Sequence, residues 1–180
     1  MKLVFDAVNL RQGTFELSLD AEFSAGVHLI TGRIGSGKST LALAAAGILP
    51  AATGEIRCED CTGSPLLLMQ FPEYHVTGST VAAEIRSWNV DGSEAPFSLL
   101  GTADPGRDPL TLSRGELRRL ELACVLARDP GLLILDEPYA SLDRFAKPVL
   151  TTLLEQRAGI TLVFSHEHEF LLANAEHWRL

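Results

Sequence analysis

Short apolar runs separated by turn residues recur along the chain, and none of them alternates strictly between apolar and polar positions. The runs occupy residues 3–5, 27–31, 66–69, 132–135 and 160–164. Such runs are typical of strands buried on both faces of a largely parallel sheet. Segments with helical periodicity lie between them, at residues 40–49, 81–88, 116–127 and 146–157. Strands that alternate with helices predict an α/β fold with right-handed crossovers.

Two segments depart from this alternation. Residues 10–23 do alternate apolar and polar positions, which predicts an N-terminal antiparallel β hairpin on one side of the mostly parallel sheet. Residues 72–109 are rich in Gly and Pro but still contain apolar side chains that need burial, so we interpret them as part of an insertion. We expect one domain over residues 1–180, with a core at about 1–71 and 129–180 and a small helical subdomain inserted at about 72–128.

Composition narrows the class of protein. The 180 residues are 46% hydrophobic and 21% charged, which excludes a disordered chain. The net charge of −8 disfavours general binding to nucleic acid, because phosphate backbones repel an acidic protein. Three cysteines are too few, and odd in number, for a disulfide framework, and no segment has the pattern of a signal peptide or a membrane span. We therefore expect a cytoplasmic protein.

A phosphate-binding loop follows the second apolar run. Residues 32–39 match the pattern G-x-x-x-x-G-K-S/T, between a predicted strand and a predicted helix. In this loop glycines let backbone N–H groups converge on phosphate oxygens, Lys38 reaches the β- and γ-phosphates and the Ser39 hydroxyl binds Mg²⁺. A glycine-rich turn before a helix is the alternative, and the order of strand, loop and helix disfavours it. The expected ATP-binding residues are Gly32, Arg33, Ile34, Gly35, Ser36, Gly37, Lys38, Ser39 and Thr40.

Two carboxylates end the apolar run at residues 132–135. Because ligands bind at the carboxyl ends of strands in open α/β sheets, Asp136 and Glu137 are expected beside the nucleotide. Asp136 is a candidate Mg²⁺ ligand, and Glu137 is a candidate general base for the attacking water. The alternative is a strand that ends in a solvated acidic turn. The presence of a phosphate-binding loop in the same chain disfavours that alternative.

Further motifs complete a family pattern. The sequence Leu112-Ser113-Arg114-Gly115-Glu116 resembles the signature of ATP-binding-cassette (ABC) ATPases, and with Glu116 three residues after Ser113 it also predicts a helix-capping box. The chain is similar to that family in the order of six motifs, which spans nearly its whole length. After the phosphate loop these motifs are Gln70, residues 112–116, Asp136-Glu137, residues 141–143 with Asp143, and His166.

The resemblance to ABC ATPases implies a role for each motif. Gln70 would contribute to the Mg²⁺ and water site together with Ser39 and Asp136, and His166 would contact the γ-phosphate. Ser113, Arg114, Gly115 and Glu116 would act in trans, on the nucleotide of a second subunit, and Asp143 would belong to the D-loop. Two ATP molecules would then be sandwiched in a homodimer or in a heterodimer with a second ABC ATPase.

A narrower resemblance lies in residues 70–75 and 78–85, which look like the corresponding stretches of energy-coupling-factor ATPases. Those ATPases drive the uptake of vitamins, cobalt and nickel. The resemblance implies an ATP- and Mg²⁺-dependent ATPase at the cytoplasmic face of the cell membrane, docked to a transmembrane subunit through the stretch from Phe71 to Glu84. The alternatives are an ABC ATPase that acts on a protein assembly, such as iron–sulfur assembly, and a small-molecule kinase.

Several residues depart from the family pattern or carry little signal. Arg114 replaces the first glycine of the signature, and the aromatic residue that stacks on adenine is either Phe15 or replaced by Arg11. Residues 58–61 form a C-x-x-C motif without a second ligand pair, for which a hairpin turn is favoured over a metal or redox site. Arg118 and Arg119 are expected on a solvated helix face.

Overall fold

A computed structural model describes residues 1–90, 95–101, 103–166 and 174–180. Within these ranges the chain forms strands and α-helices that we number in chain order. The strands are β1 (Lys2–Gln12), β2 (Phe15–Ser24), β3 (Gly26–Thr31), β4 (Thr53–Glu59), β5 (Leu66–Leu68), β6 (Leu132–Asp136), β7 (Ile160–Ser165) and β8 (Glu176–Arg179). The helices are α1 (Lys38–Ala45), α2 (Val81–Ser87), α3 (Arg114–Ala127) and α4 (Ala146–Glu155).

Five of the strands form a parallel sheet in the order β5-β6-β7-β3-β8. Its central strands are buried on both faces, and successive side chains enter two different apolar clusters. Leu133 and Leu135 pack with α3 and α4 on one face, whereas Leu132 and Ile134 pack on the other face with α1 and the N-terminal strands. Burial on both faces explains the uninterrupted apolar runs and confirms the prediction of an α/β fold with a mostly parallel sheet.

The N-terminal strands form a separate antiparallel sheet in the order β2-β1-β4. The predicted hairpin is confirmed but is longer than expected, because the pairing continues from Gln12↔Phe15 to Lys2↔Ser24. Strand β4 was not predicted, since most of its residues are polar and solvent-exposed and they contain no apolar run. It forms an edge of this sheet and pairs with β1.

Helix α1 begins at Lys38 and ends at Ala45, four residues earlier than predicted. Gly47, with φ of 72°, turns the chain at that point, and the N–H of Ile48 bonds back to the carbonyl of Leu43. A glycine with positive φ is a common helix stop. The remaining apolar residues of the predicted helix therefore lie in a turn.

In its described residues, the segment predicted as an insertion contains α2, α3 and three short 3-10 turns. Val81 of α2 packs against Leu117, Leu120 and Cys124 of α3 in a third apolar cluster, and Trp88 and Phe97 pack at its margin. Residues 91–94 and 102 of this segment lie outside the described residues.

Strand β8, also not predicted, pairs with β3 at the edge of the parallel sheet. Among the described residues, no helix combines the length and apolar character that crossing a bilayer requires.

Cys58 and Cys61 are joined by a disulfide, with Cα atoms 5.7 Å apart, a pairing that the cysteine count, too small and odd for a disulfide framework, did not predict. Asp60, with φ of 58°, reverses the chain between them. A turn is present, as expected, but it connects strands of two different sheets and is therefore not a hairpin. In the described part of the chain no group of three or more His, Cys, Asp or Glu side chains could hold a metal ion.

Candidate functional site

An open cavity of about 350 Å³ lies at the carboxyl ends of the parallel strands. Phosphate-loop residues line one side of it, and residues from the ends of β5, β6 and β7 line the other. The lining residues are Phe15, Ile34, Gly35, Gly37, Lys38, Ser39, Thr40, Gln70, Asp136, Glu137 and His166. The sheet therefore brings Gln70, Asp136, Glu137 and His166 together with the phosphate loop, although they are far apart in sequence.

The phosphate loop leads from β3 into the N-terminus of α1. Gly35 and Gly37 have φ angles of 82° and 98°, which side chains other than glycine rarely adopt. A Cβ atom on Gly37 would also lie 2.7 Å from the ring of Phe15. The Lys38 ammonium donates to the carbonyls of Gly32 and Arg33, at 2.9 and 3.1 Å, and burial lowers its pKa. The Ser36 hydroxyl oxygen is buried without a hydrogen-bond partner among the described residues.

Asp136 ends β6 beside the first turn of α1. The Ser39 hydroxyl donates to one oxygen of its carboxylate, at 3.2 Å. Burial raises the pKa of Asp136, and the hydrogen bond from Ser39 and the charge of Arg118 oppose that shift. A hydroxyl and a carboxylate oxygen are thus adjacent at the mouth of the phosphate loop.

Glu137 has a constrained backbone conformation and a buried, hydrogen-bonded side chain. Its φ is 49°, and it is only 8% exposed. The backbone N–H of His166 donates to its Oε1 at 2.9 Å, and the Ser165 hydroxyl donates to its Oε2 at 3.3 Å. Burial raises the pKa of Glu137, whereas the neighbouring His166 lowers it. Nδ1 of the His166 imidazole lies 3.4 Å from the Lys38 ammonium. His166 therefore contacts both Glu137 and Lys38.

Only one of the two candidates for adenine stacking lines the cavity. Phe15, at the start of β2, lines the cavity against Gly37. Arg11 does not line it and instead pairs with Glu16, 2.7 Å away, on the antiparallel sheet. An aromatic face therefore lies next to the phosphate loop, where a base attached to a bound triphosphate can reach it.

The signature residues Ser113, Arg114, Gly115 and Glu116 lie at the start of α3 and do not line this cavity. The predicted capping box is present: Glu116 N–H donates to Ser113 Oγ at 3.3 Å, and Ser113 N–H donates to Glu116 Oε2 at 2.8 Å. A Cβ atom on Gly115 would lie 2.7 Å from the carbonyl oxygen of Ser141, so the signature packs tightly against the loop after β6.

Asp143 caps the chain before α4, where its carboxylate accepts from the N–H groups of Phe145 and Ala146. It also lies 3.3 Å from Arg119. These bonds lower the pKa of Asp143. The loop that contains Ser141 and Asp143 is therefore attached to α3 at two points.

Arg118 corrects a prediction, because it is 1% exposed rather than solvated. Its guanidinium donates to the carbonyl oxygens of Met69 and Asp136, each at 2.6 Å. Helical periodicity could not reveal this, since α3 is surrounded by protein and most of its residues from Leu117 to Leu126 are buried. Arg119, in contrast, is partly exposed and pairs with Asp143, as expected of a more solvated position.

Comparisons with known proteins agree with this geometry. A family model described as ABC transporter matches residues 17–140. The energy-coupling factor transporter ATP-binding protein EcfA1 of Thermotoga maritima is 36% identical over 196 residues, covering 95% of this chain and 75% of that protein. EcfA2 of Streptococcus sanguinis is 30% identical over 181 residues, and the chain spans 65% of its length.

Two solved structures share the fold. An ABC transporter ATP-binding protein from Pyrococcus furiosus superposes with a TM-score of 0.78 at 20% identity, covering 100% of this chain and 98% of that one. A dimeric ATP-binding cassette in a post-hydrolysis state, bound to ADP and Pi, superposes with a TM-score of 0.74 at 17% identity, covering 93% and 89%. The chain belongs to the ATPases of the ABC transporter family, and it binds ATP. Energy-coupling-factor ATP-binding proteins are among its relatives, which confirms the narrower resemblance.

Proposed function

We propose that the chain is the ATP-hydrolysing subunit of a membrane importer of the energy-coupling-factor type, which takes up a vitamin or a metal ion. The observation that carries the proposal is the single cavity in which Gln70, Asp136, Glu137 and His166 face the phosphate loop. The identity to EcfA1 over most of the chain supports the importer type.

Each group in the cavity has a chemical task in this proposal. Lys38 and the loop N–H groups hold the phosphates, and the Phe15 ring stacks on adenine. Glu137 accepts the proton of the attacking water, for which its raised pKa and its two hydrogen bonds suit it. His166, held beside Glu137, contacts the γ-phosphate.

The potential ligand atoms around Asp136 fit Mg²⁺. This ion prefers oxygen ligands and usually completes its shell with water and substrate phosphates rather than with a full protein cage. Ser39 Oγ and an Asp136 oxygen, 3.2 Å apart, together with the Gln70 side chain in the same cavity, provide such a partial shell. Bound there, Mg²⁺ would neutralise charge on the phosphates.

The signature residues serve a second subunit. Ser113, Arg114, Gly115 and Glu116 lie outside the cavity of their own chain, which supports action in trans on the ATP of a partner. The dimeric cassette of the same fold supports this arrangement. The partner is a second copy of this chain or another ABC ATPase, and Asp143, in the loop against the signature, is the D-loop residue.

The transmembrane partner docks beside Gln70, on the cytoplasmic face of the membrane. Phe71 and Tyr74 are 40% and 72% exposed there and stack edge to face, with ring centroids 5.9 Å apart. Glu84, at the far end of the proposed docking stretch, is instead buried and accepts from the N–H groups of Thr77 and Gly78. The docking surface is therefore the Phe71–Tyr74 patch, which we define as residues 71–74, and Glu84 supports the loop behind it.

Separate roles for Lys38 and Glu137 provide the test. Lys38→Ala should weaken ATP binding at least about tenfold, because it removes the charge that holds the phosphates. Glu137→Gln should bind ATP within about threefold of wild type but lose about a hundredfold or more of its turnover, as expected for the loss of a general base. Nucleotide titration and phosphate release measure the two effects. Lys2→Ala, on an exposed lysine paired with Glu22, is the control. Equal turnover in wild type and Glu137→Gln would contradict the assignment of the base.

A further inference from the structure

Arg118 connects the two strand ends that carry Gln70 and Glu137. Its Nη1 donates to the carbonyl oxygen of Met69, the residue before Gln70, and its Nη2 donates to that of Asp136, the residue before Glu137. The strands concerned, β5 and β6, are neighbours in the parallel sheet, with Leu68 beside Leu135. One planar side chain therefore contacts both peptide units at the point where these strands enter the site.

The guanidinium group suits this bridge because its N–H donors have a fixed, planar arrangement. Two carbonyls bound to the same group cannot change their separation without breaking a hydrogen bond. The side chain does not line the cavity itself, so it reaches the nucleotide only through the residues that it holds.

Burial of Arg118 is costly, and packing alone does not require it. A charged group removed from water loses favourable solvation, and apolar residues of similar volume often stabilise such positions as well or better. Burial lowers the pKa of Arg118 to about 10, and the charges of Asp136, Glu121 and Glu137 oppose that shift. The guanidinium therefore stays charged at neutral pH and keeps both carbonyls bound.

We propose that Arg118 is a positioning residue, whose guanidinium fixes the spacing of the Met69 and Asp136 carbonyls and thereby aims Gln70 and Glu137 at the same nucleotide. The inference rests on the proposed function for its effect on turnover, although the bridge itself can be tested without turnover. Arg118 belongs to helix α3, which begins with the signature residues. Its hydrogen bonds therefore connect that helix to the backbone next to Gln70 and Glu137.

The test compares Arg118 with a second buried arginine. Arg118→Met keeps an unbranched side chain that fills part of the same space but removes all donors, and Arg118→Lys keeps the charge on a single nitrogen that cannot form the planar fork. Arg157→Met is the matched control, because Arg157 is also nearly buried and also donates to a backbone carbonyl, that of Pro130, at the opposite end of β6. All variants are assayed well below their melting temperatures.

The expected result separates binding from turnover. Arg118→Met should lower kcat at least about tenfold while the Kd for ATP stays within about threefold, and Arg118→Lys should recover part of kcat. Arg157→Met should keep kcat within about twofold, even if its melting temperature falls by as much as that of Arg118→Met. Equal kcat in Arg118→Met and wild type, or equal losses in Arg118→Met and Arg157→Met, would overturn the proposal.

Hydrogen exchange tests the bridge independently of hydrolysis. In Arg118→Met the backbone amides of Gln70, Phe71, Glu137 and Tyr139 should exchange at least about fivefold faster than in Arg157→Met. Unchanged exchange would overturn the bridge, even if turnover fell. If the wild-type chain hydrolysed no ATP, the proposed function would fail, whereas faster exchange at both strand ends would still support the positioning role. If Arg118→Met does not fold, Arg118→Lys is subjected to the same two measurements.

Discussion

At the scale of single residues, Glu137 illustrates how the site holds a side chain in an unfavourable conformation. A non-glycine residue with φ of 49° costs on the order of 1–3 kcal/mol and persists only where the surroundings over-determine it. Here the N–H of Glu137 donates to Phe164, and its carboxylate accepts from His166 and Ser165. Three bonds to the end of β7 therefore fix both the backbone and the side chain of the proposed base.

Glu121 is a second buried carboxylate, and its surroundings differ from those of Glu137. Neither of its oxygens has a hydrogen-bond partner among the described residues. Burial raises its pKa to about 8, the charge of Glu84 adds to that shift and Arg118 opposes it. Because the pKa is higher in the folded than in the unfolded chain, the contribution of Glu121 to stability is complete below about pH 4.5 and is lost as the pH rises through about 8.

We expect Glu121→Gln, which is uncharged at every pH, to remove this dependence. The free energy of unfolding of the wild type should fall relative to that of the variant by on the order of 4 kcal/mol between pH 5 and pH 8.5. Over about three pH units the folded chain keeps a proton that the unfolded chain has lost, and one pKa unit corresponds to about 1.4 kcal/mol. Urea denaturation at both pH values measures the difference. Glu55→Gln, on the exposed strand β4, should leave the wild-type pH dependence in place. Parallel pH profiles for wild type and Glu121→Gln would show that Glu121 is ionised in the folded chain.

At the scale of elements, the start of α3 and the loop after β6 form a close contact. Gly115 is adjacent to the carbonyl of Ser141, and Arg119, one turn later, pairs with Asp143. Ser141 has φ of 66°, so the loop makes a sharp turn where the helix approaches it. A change in the position of either element is therefore transmitted to the other.

Gly115→Ala should disturb this contact without disturbing the nucleotide cavity. The added Cβ would meet backbone at 2.7 Å, which forces a shift that costs about 1–3 kcal/mol. Since Gly115 does not line the cavity, the Kd for ATP should stay within about threefold, whereas turnover by the dimer should fall at least about tenfold. Nucleotide titration and phosphate release at several protein concentrations check both expectations.

The control for that substitution is Gly106→Ala, whose Cβ would come only within 3.5 Å of the Asp104 side chain. It should keep both binding and turnover. If Gly115→Ala also kept full turnover, the start of α3 would have no part in hydrolysis, and the action in trans would be contradicted.

The elements also show which features the sequence could predict. The buried parallel strands produce uninterrupted apolar runs, so β3, β6 and β7 were predicted nearly to the residue. Strands β4 and β8 lie at sheet edges and are largely exposed, so they carry no such pattern. Their pairing depends on β1 and β3, which are distant in sequence.

The residues of the candidate site also divide into those that a local sequence pattern predicts and those that it does not. Lys38, Asp136 and Glu137 stand in motifs or at the ends of apolar runs, and the cavity contains all three. Arg118 could not be found in this way, because its partners are backbone carbonyls 49 and 18 residues away. No local pattern encodes a hydrogen bond to a distant main-chain atom.

At the scale of the whole molecule, the Phe71–Tyr74 patch is an exposed aromatic surface directly beside the cavity. Gln70, which lines the cavity, is joined to it by a single peptide bond. The guanidinium of Arg114 also lies over the Phe71 ring, 5.3 Å from its centroid. The patch is thus in contact with one residue at the cavity and one in the signature, so a partner bound to it could sense both.

We therefore expect the double variant Phe71→Ala/Tyr74→Ala to be released from solubilised membranes, on which the wild-type chain should remain bound. Truncation of an aromatic anchor at an interface costs about 2 kcal/mol or more, so two should reduce retention by at least about a hundredfold. Binding of ATP should stay within about threefold, because neither ring lines the cavity. Co-purification with the transmembrane partner and nucleotide titration measure the two properties.

Phe145→Ala is the matched control for this experiment. Its ring is 71% exposed and also lies under an arginine, with Arg144 4.7 Å from the centroid, but it belongs to the loop before α4 rather than to the patch. Retention lost equally in Phe145→Ala would indicate a general effect of exposed aromatic residues. Retention of the double variant, or absence of the wild type from membranes, would contradict docking through this patch. The second result would also favour an ABC ATPase that acts on a protein assembly, since the cavity and its residues would serve hydrolysis equally well there.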